Sequence, residues 1–173
     1  MIGGIQVVPE RAEDTTAQVI LCDTSGSMIG RRIERLKEQL GAILKDSPAR
    51  LAAFSTGFAW IESVDRLPAP DGSTRLAEAL EQVAKAWPTS VLVISDGEPN
   101  DPDAAIAAAS LIPGVIHTLF VGDDDKRGVA FMSRLARAGG GNFAHRSLDR
   151  NVQIGDAVRS MLALDAPPMP MGG

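Results

Sequence analysis

Short runs of consecutive apolar residues alternate with segments of helical periodicity along most of this chain. This alternation restricts the fold more than any other feature of the sequence. The clearest runs are Ala17–Asp23 (AQVILCD) and Ser90–Gly97 (SVLVISDG), and each ends in a polar loop. Such runs are typical of strands that are buried on both faces. Helical crossovers between parallel strands must cover those faces, so the pattern predicts a doubly wound α/β fold with a mostly parallel sheet.

The individual elements follow from apolar spacing and from proline and glycine breaks. Strands are predicted at Ala17–Asp23, Ala49–Ser55, Phe58–Val64, Ser90–Gly97, Val115–Gly122 and Gly141–Arg146. Helices are predicted at Arg32–Asp46, Thr74–Trp87, Asp101–Ile112, Val129–Gly139 and Asn151–Leu162. Only a short link around Gly57 separates the second and third strands. That link predicts a hairpin, and therefore one antiparallel strand at the edge of the sheet.

The length of the chain suits a single domain. The 173 residues are 45% hydrophobic, which is enough for a sizeable core, and no internal repeat or second boundary interrupts the pattern. We expect the domain to span residues 17–164, preceded by an N-terminal extension at 1–16. The proline-rich end, 165–173, is predicted to be a disordered tail.

Charge and composition exclude several classes of protein. The net charge is −5 and no run of Lys or Arg stands out, so we expect no nucleic-acid partner. No apolar stretch is long enough to span a membrane, and the first residues lack the features of a secretory signal. We therefore expect a cytoplasmic, bacterial-type protein. The single cysteine, Cys22, lies in an apolar run and is predicted to be a buried, inert thiol.

Oxygen-bearing side chains cluster in three loops. The first strand is followed by Asp23-Thr24-Ser25-Gly26-Ser27, which places a carboxylate and two hydroxyls at alternate positions. The strand Ser90–Gly97 ends in Ser95-Asp96, and Asp71-Gly72-Ser73-Thr74 precedes a helix. In open α/β sheets ligands bind at the carboxyl ends of the strands, where the winding reverses. Oxygen ligands with open positions suit Mg²⁺ better than Ca²⁺, and no Cys/His cluster suggests zinc.

These motifs resemble those of the von Willebrand factor A (vWA) domain family. DTSGSM resembles its Asp-x-Ser-x-Ser motif, GSTRLAEAL the segment with its metal-site threonine, and VLVISDGEPND the strand with its second aspartate. The resemblance covers nearly the whole chain and implies the Rossmann-like vWA fold. It also implies an intact metal-ion-dependent adhesion site that holds Mg²⁺, with Mn²⁺ or Ca²⁺ as alternatives. The implied ligands are Asp23, Ser25, Ser27, Thr74 and Asp96. One departure is Asp71-Gly72-Ser73, where two glycines are common in the family.

Each of these residues also has a plainer structural interpretation. Ser25 or Ser27 alone would suit a helix cap, Thr74 would cap the helix that follows it, and Asp23 alone would suit a turn at a strand end. We expect partial burial of Asp23 and Asp96, because a metal site must admit a ligand. Other polar residues are expected to serve as helix starts, strand positions or solvated loops: Glu98, Asp101, Asp103, His117, His145 and Asp123-Asp124-Asp125.

The implied function is binding rather than catalysis. In this family a bound metal ion grips an Asp or Glu of a partner protein, which makes the contact charge-assisted and directional. Stand-alone bacterial domains of this kind resemble accessory subunits of larger complexes, for example with AAA+ ATPases. Two alternatives stay open. One is Mg²⁺-dependent phosphoryl transfer with Asp23 as phospho-acceptor and Ser95 and Lys126 as partners. The other is a structural subunit whose metal site is unused.

Overall fold

The computed structural model describes residues 18–45, 47–122, 125–146 and 151–164. Six strands form one sheet in this part of the chain. They are β1 (Gln18–Asp23), β2 (Arg50–Phe54), β3 (Phe58–Ile61), β4 (Ser90–Ser95), β5 (Val115–Val121) and β6 (Gly140–Arg146). Their spatial order is β3-β2-β1-β4-β5-β6. All neighbours pair in parallel except β2 and β3, so the predicted antiparallel edge strand is confirmed.

The described residues also form five α-helices, of which the first four connect strands and the fifth follows β6. They are α1 (Arg31–Leu44), α2 (Leu76–Ala84), α3 (Pro102–Ala109), α4 (Lys126–Ala138) and α5 (Asn151–Leu164). Every helix predicted from the sequence is present, and only the ends differ by a few residues. Pro102 occupies the first turn of α3, where its missing N–H is no loss. None of the helices in the described ranges is long and apolar enough to cross a membrane.

The helices lie on both faces of the sheet, as the doubly wound prediction requires. Alternate residues along each strand enter two separate apolar clusters. The first cluster joins one face to α2, α3 and α4, with Leu21 and Val93 at its centre. The second joins the other face to α1 and α5, and includes Ile20, Cys22 and Ile94. Because both faces are covered, the strands are continuous apolar runs rather than alternating ones.

The winding of the chain reverses between β1 and β4. From β1 the chain moves outwards to β2 and β3, then returns across the sheet to β4 and moves outwards again. The strands β1 and β4 are adjacent and parallel at the sheet centre, with Cys22 paired to Ile94. The predicted adjacency of these two strands is therefore confirmed. The loops that follow them leave the same edge of the sheet, at a topological switch point.

Several sequence-based expectations fall outside the described residues. These are the N-terminal extension 1–16, the first residue of the predicted first strand, Ala17, the end of the first predicted helix at Asp46, the two aspartates Asp123 and Asp124, and the tail 165–173.

Candidate metal centre

Two aspartates lie next to each other at the carboxyl edge of the sheet, one after each central strand. Asp23 is the last residue of β1, and Asp96 directly follows β4. Asp23 is 1% exposed and Asp96 is 6% exposed. The expectation of partial burial was therefore wrong.

The carboxylate of Asp23 is held by donors from its own loop and from β4. The backbone N–H of Ser25 donates to Oδ1 at 2.7 Å, and the Ser95 hydroxyl donates to Oδ2 at 2.6 Å. Burial raises the pKa of Asp23, hydrogen bonds from Ser25 and Ser95 oppose that rise, and the charge of Asp96 adds to it. The ionised form of Asp23 is thus a buried negative charge that lacks a full counter-charge.

The carboxylate of Asp96 is held by the first loop and by the start of α1. The hydroxyl of Ser27 donates to Oδ1 at 2.7 Å, and Nη1 of Arg32 donates to Oδ2 at 2.5 Å. The hydroxyls of Ser25 and Ser27 are themselves 3.2 Å apart. Four of the five predicted ligands therefore form one connected set, in which Asp23, Ser25, Ser27 and Asp96 follow one another through hydrogen bonds.

The fifth predicted ligand, Thr74, lies in a loop that forms hydrogen bonds with the loop after β1 and with the loop after β4. Its backbone N–H donates to Oδ1 of Asn100 at 3.1 Å, and the backbone N–H of Asn100 donates to the Thr74 carbonyl at 3.0 Å. The same loop meets the first one through Gly26 N–H to the Gly72 carbonyl at 3.1 Å. These hydrogen bonds place the Thr74 loop against the loops that carry the other four residues.

Thr74 does not cap its helix, and that expectation was wrong. The helix α2 begins at Leu76, and its N-cap position is Arg75, whose side chain makes no capping hydrogen bond. The hydrogen bonds to Asn100 hold Thr74 before the helix starts, and its side chain is half-buried. The structural interpretation that competed with metal ligation for Thr74 therefore loses its support.

The one glycine of the segment Asp71-Gly72-Ser73 has a clear backbone role. Gly72 has φ +78°, a conformation that side chains disfavour, and an added Cβ would lie 2.4 Å from Oγ1 of Thr56. That oxygen accepts the backbone N–H of Ser73 at 3.0 Å. The glycine that the turn requires is therefore present, and Asp71 is exposed.

Asp101, His117 and His145 take the structural roles that the sequence suggested. Asp101 caps α3 by accepting the backbone N–H of Ala104 at 3.0 Å. His117 is buried and its Nδ1 accepts the backbone N–H of Asn142, while His145 bonds to the Gly122 carbonyl. Cys22 is fully buried as predicted, and burial together with the charge of Asp23 raises the pKa of its thiol.

A cleft of about 540 Å³ opens beside Asp96, and of the five predicted ligands Ser27 and Asp96 line it. Its charged and polar lining comes from Ser27, Arg32, Asp96, Glu98, Asp125 and Arg127. A larger groove of about 1110 Å³ lies between α1 and the edge strand β3, but none of the predicted ligands lines it. We place the candidate site at the smaller cleft because the predicted ligands Ser27 and Asp96 line it.

The donors around this cleft fit a small, hard cation. They are carboxylate and hydroxyl oxygens, which Mg²⁺ and Mn²⁺ prefer. Across the described ranges no group of three or more His, Cys, Asp or Glu side chains is arranged to hold a metal. Any ion at this edge would therefore depend on the hydroxyls of Ser25, Ser27 and Thr74 as well as on the two carboxylates.

Sequence reasoning missed Arg32, Ser95 and Asn100 as structural partners of the site. Ser95 was weighed only as part of a phosphoryl-transfer alternative, and Asn100 was not considered. Arg32 was read only as the first residue of a helix. One signal was available for it, because a cation in the first turn opposes the helix dipole and suggests that its charge is needed elsewhere.

Comparison with known proteins supports the fold. No protein-family model matches the sequence, and no curated protein matches it significantly. By structure the chain is similar to a von Willebrand factor type A protein from Catenulispora acidiphila, with a TM-score of 0.74 and 18% identity over 87% of this chain. A pilus assembly-related protein from Burkholderia pseudomallei K96243 matches with a TM-score of 0.47 and 15% identity, over 89% of this chain and 95% of that one.

The class of protein that the fold defines is therefore the vWA-type α/β domain. The predicted fold is confirmed. This chain spans 42% of the length of the Catenulispora protein, so the domain corresponds to a part of that molecule. The use of a metal and the nature of the partner stay predictions.

Proposed function

We propose that this chain is a metal-dependent protein-interaction module. In this proposal Asp23, Ser25, Ser27, Thr74 and Asp96 hold one Mg²⁺ ion. The observation that carries it is the pair of buried carboxylates at the switch point, which are joined by hydrogen bonds through Ser25 and Ser27. Two buried like charges are costly unless a cation is near, and among the described residues only Asp96 has a basic side chain bonded to it.

The bound ion would supply an electrophilic position that accepts a carboxylate from outside the domain. The residues of this chain do the rest. Asp23 and Asp96 supply charge, and the hydrogen bonds from Ser25, Ser27 and Ser95 fix the orientation of both carboxylates. The cleft beside Asp96 gives an acidic side chain of a partner protein room to approach. We further propose that the domain is an accessory subunit of a larger bacterial complex, for example with an AAA+ ATPase.

The phosphoryl-transfer alternative gains no support from the geometry. A phospho-acceptor carboxylate needs an oxygen that is open to attack a phosphoryl donor. Both oxygens of Asp23 accept hydrogen bonds, and the residue is 1% exposed. The alternative of a structural subunit with an unused site is separated from the proposal by the experiment below.

The test is thermal melting of the wild type and of Asp23→Ala, each in Mg²⁺ and in chelator. We expect Mg²⁺ to stabilise the wild type by RT ln(1 + [L]/Kd), about 2.7 kcal/mol at a hundredfold excess over Kd, and to leave Asp23→Ala almost unchanged. The matched control is Glu98→Ala, which removes one carboxylate from the same cleft without touching a proposed ligand. It should keep the Mg²⁺ shift.

The same three proteins then serve as bait for partners. A partner that meets the proposal binds the wild type and Glu98→Ala in Mg²⁺, and binds neither Asp23→Ala nor the wild type in chelator. Once purified, it should lose binding when a single Asp or Glu of its own is replaced. If Asp23→Ala keeps both the Mg²⁺ shift and the partner, the proposal is wrong. A Mg²⁺ shift with no metal effect on a captured partner would favour the structural alternative.

A further inference from the structure

Arg32 occupies a defined place beside the candidate metal site. It is the second residue of α1, and its Nη1 bonds both to Oδ2 of Asp96 at 2.5 Å and to the backbone carbonyl of Ser27 at 3.3 Å. Gly122, at the end of β5, lies behind the guanidinium: a Cβ built there would be 3.7 Å from Cζ of Arg32. The Arg32 side chain is thus held by contacts from three parts of the fold.

The location of this arginine is unfavourable for the helix that carries it. A cation in the first turn of a helix opposes the helix dipole, and Arg31 beside it adds a second positive charge. The N-cap position is Gly30, which supplies no side-chain acceptor. The ion pair with Asp96 offsets that cost, because the side chain of Asp96 has no exposed surface and would otherwise be a buried charge.

Arg32 and a divalent ion would need the same carboxylate. Asp96 has one oxygen bonded to Ser27 and the other to Arg32, so both of its oxygens are engaged. A cation that bound Asp96 would lie close to the positive guanidinium, which is at hydrogen-bond distance from the same carboxylate. Repulsion between these two charges is strong in a partly desolvated cleft. Arg32 can withdraw, since its side chain is 32% exposed and borders the open cleft.

We infer that Arg32 is a built-in counter-cation that competes with the metal ion for Asp96. It neutralises Asp96 and stabilises the fold without metal, and it lowers the affinity of the site for Mg²⁺. When a metal ion is bound, the guanidinium would leave Asp96 and lie in the cleft, where the acidic group of a partner would approach. This inference rests on the proposed function. It adds that Arg32 raises the concentration of metal ion at which the site becomes occupied.

The test compares Mn²⁺ and Mg²⁺ affinity, measured by titration calorimetry, for the wild type, Arg32→Gln and Arg31→Gln. Arg31 is exposed and adjacent, so its replacement removes the same charge from the same helix end without touching Asp96. We expect Arg32→Gln to bind roughly tenfold more tightly than the wild type, an effect between those of exposed and buried ion pairs. Arg31→Gln should change affinity by less than about threefold, because exposed charges are screened.

The melting temperature gives a second test, in which Arg32→Gln should be weakened rather than improved. In chelator Arg32→Gln should melt at a lower temperature than Arg31→Gln, because Asp96 loses its only bonded cation among the described residues. A purely structural role for Arg32 would lower the melting temperature without tightening metal binding. Arg32→Lys, which keeps the charge, should restore much of the wild-type affinity.

The outcomes separate this inference from the proposed function. If the wild type binds metal and Arg32→Gln binds it equally or less tightly, the inference is wrong and the proposed function stands. If the wild type does not bind but Arg32→Gln does, the competition is supported and the metal-dependent function of the natural chain is wrong. If neither protein binds, both are wrong.

Discussion

At the scale of single residues, Asp23 shows that the negative charge of the site is only partly compensated. Its carboxylate is almost fully buried, it accepts two hydrogen bonds, and it lies close enough to Asp96 for the two charges to repel. The hydrogen bonds compensate only part of the cost of burial. A group of this kind favours its protonated form in the folded state more than in the unfolded chain.

The uncompensated charge predicts a specific pH dependence of the free energy of unfolding in metal-free buffer. Because burial raises the pKa of Asp23 in the folded protein, the fold retains a proton that the unfolded chain releases. The free energy of unfolding contributed by this residue is therefore present at low pH and is lost as pH rises through the folded pKa. Asp23→Asn removes the titration and keeps the shape. We expect it to be more stable than the wild type near neutral pH, with a difference that shrinks towards about pH 4.

Urea denaturation of both proteins across this range, without metal, measures that difference. Asp71→Asn is the control, since Asp71 is an exposed aspartate in a neighbouring loop. A stability difference between wild type and Asp23→Asn that is independent of pH would contradict the argument. So would a wild type that gains on the variant as pH rises.

Thr74 gives a second prediction at this scale. Because it is half-buried and does not cap α2, Thr74→Ala should cost little in chelator, within about 0.5 kcal/mol of the wild type. The same variant should lose most of the stabilisation by Mg²⁺, since a proposed ligand is gone. Thermal melting with and without Mg²⁺ measures both effects. A loss of about 1 kcal/mol in chelator would instead indicate that the side chain stabilises the helix start.

At the scale of elements, the prediction from sequence succeeded where apolar periodicity carried the signal. The buried face of α1 is Ile33, Leu36, Leu40 and Ile43, which is the spacing on which the helix was predicted. Helix ends were less predictable because they depend on contacts outside the helix. The helix α4 begins at Lys126, earlier than predicted, since Asp125 accepts the backbone N–H of Arg127. Thr74 was assigned to α2 because its bond to the distant Asn100 leaves no local pattern.

The same distinction applies to the candidate site. Asp23, Ser25 and Ser27 are close in sequence, so their motif could be read directly, and the strand order then brings Asp96 to them. The pairing of Arg32 with Asp96 joins residues that are 64 positions apart. It depends on the angle at which α1 leaves the loop and on Gly122 behind the guanidinium. No local spacing encodes these two conditions.

The packing of α4 against the site predicts the effect of one methyl group. A Cβ at Gly128 would lie 2.6 Å from Cε2 of Phe120 and 3.0 Å from Cα of Gly97, next to Asp96. Gly128→Ala should therefore push the first turn of α4 away from the β4 loop and destabilise the domain by about 1–3 kcal/mol. The control is Gly41→Ala in α1, where a Cβ has open space, and it should stabilise by about 0.5–1 kcal/mol. Denaturation curves of the two variants that shift in the same direction would contradict this packing.

At the scale of the whole molecule, the fold explains why one edge of the sheet can carry a buried polar site. Each face of the sheet is covered by its own helices and forms its own apolar cluster. The carboxyl edge at the switch point is the place where loops meet without a helix across them. Charge can therefore be concentrated at Asp23 and Asp96 while the two cores on either side remain apolar. The proposed function requires this edge to hold a cation.

A crystal structure of the wild-type protein grown in Mn²⁺, with anomalous scattering measured near the manganese edge, tests this most directly. We predict one strong anomalous peak at the carboxyl edge of β1 and β4, about 2.0–2.2 Å from oxygens of Ser25, Ser27 and neighbouring ligands. Arg32 should then be displaced from Asp96. A map with no anomalous peak at this edge, and with Arg32 still paired to Asp96, would contradict the account.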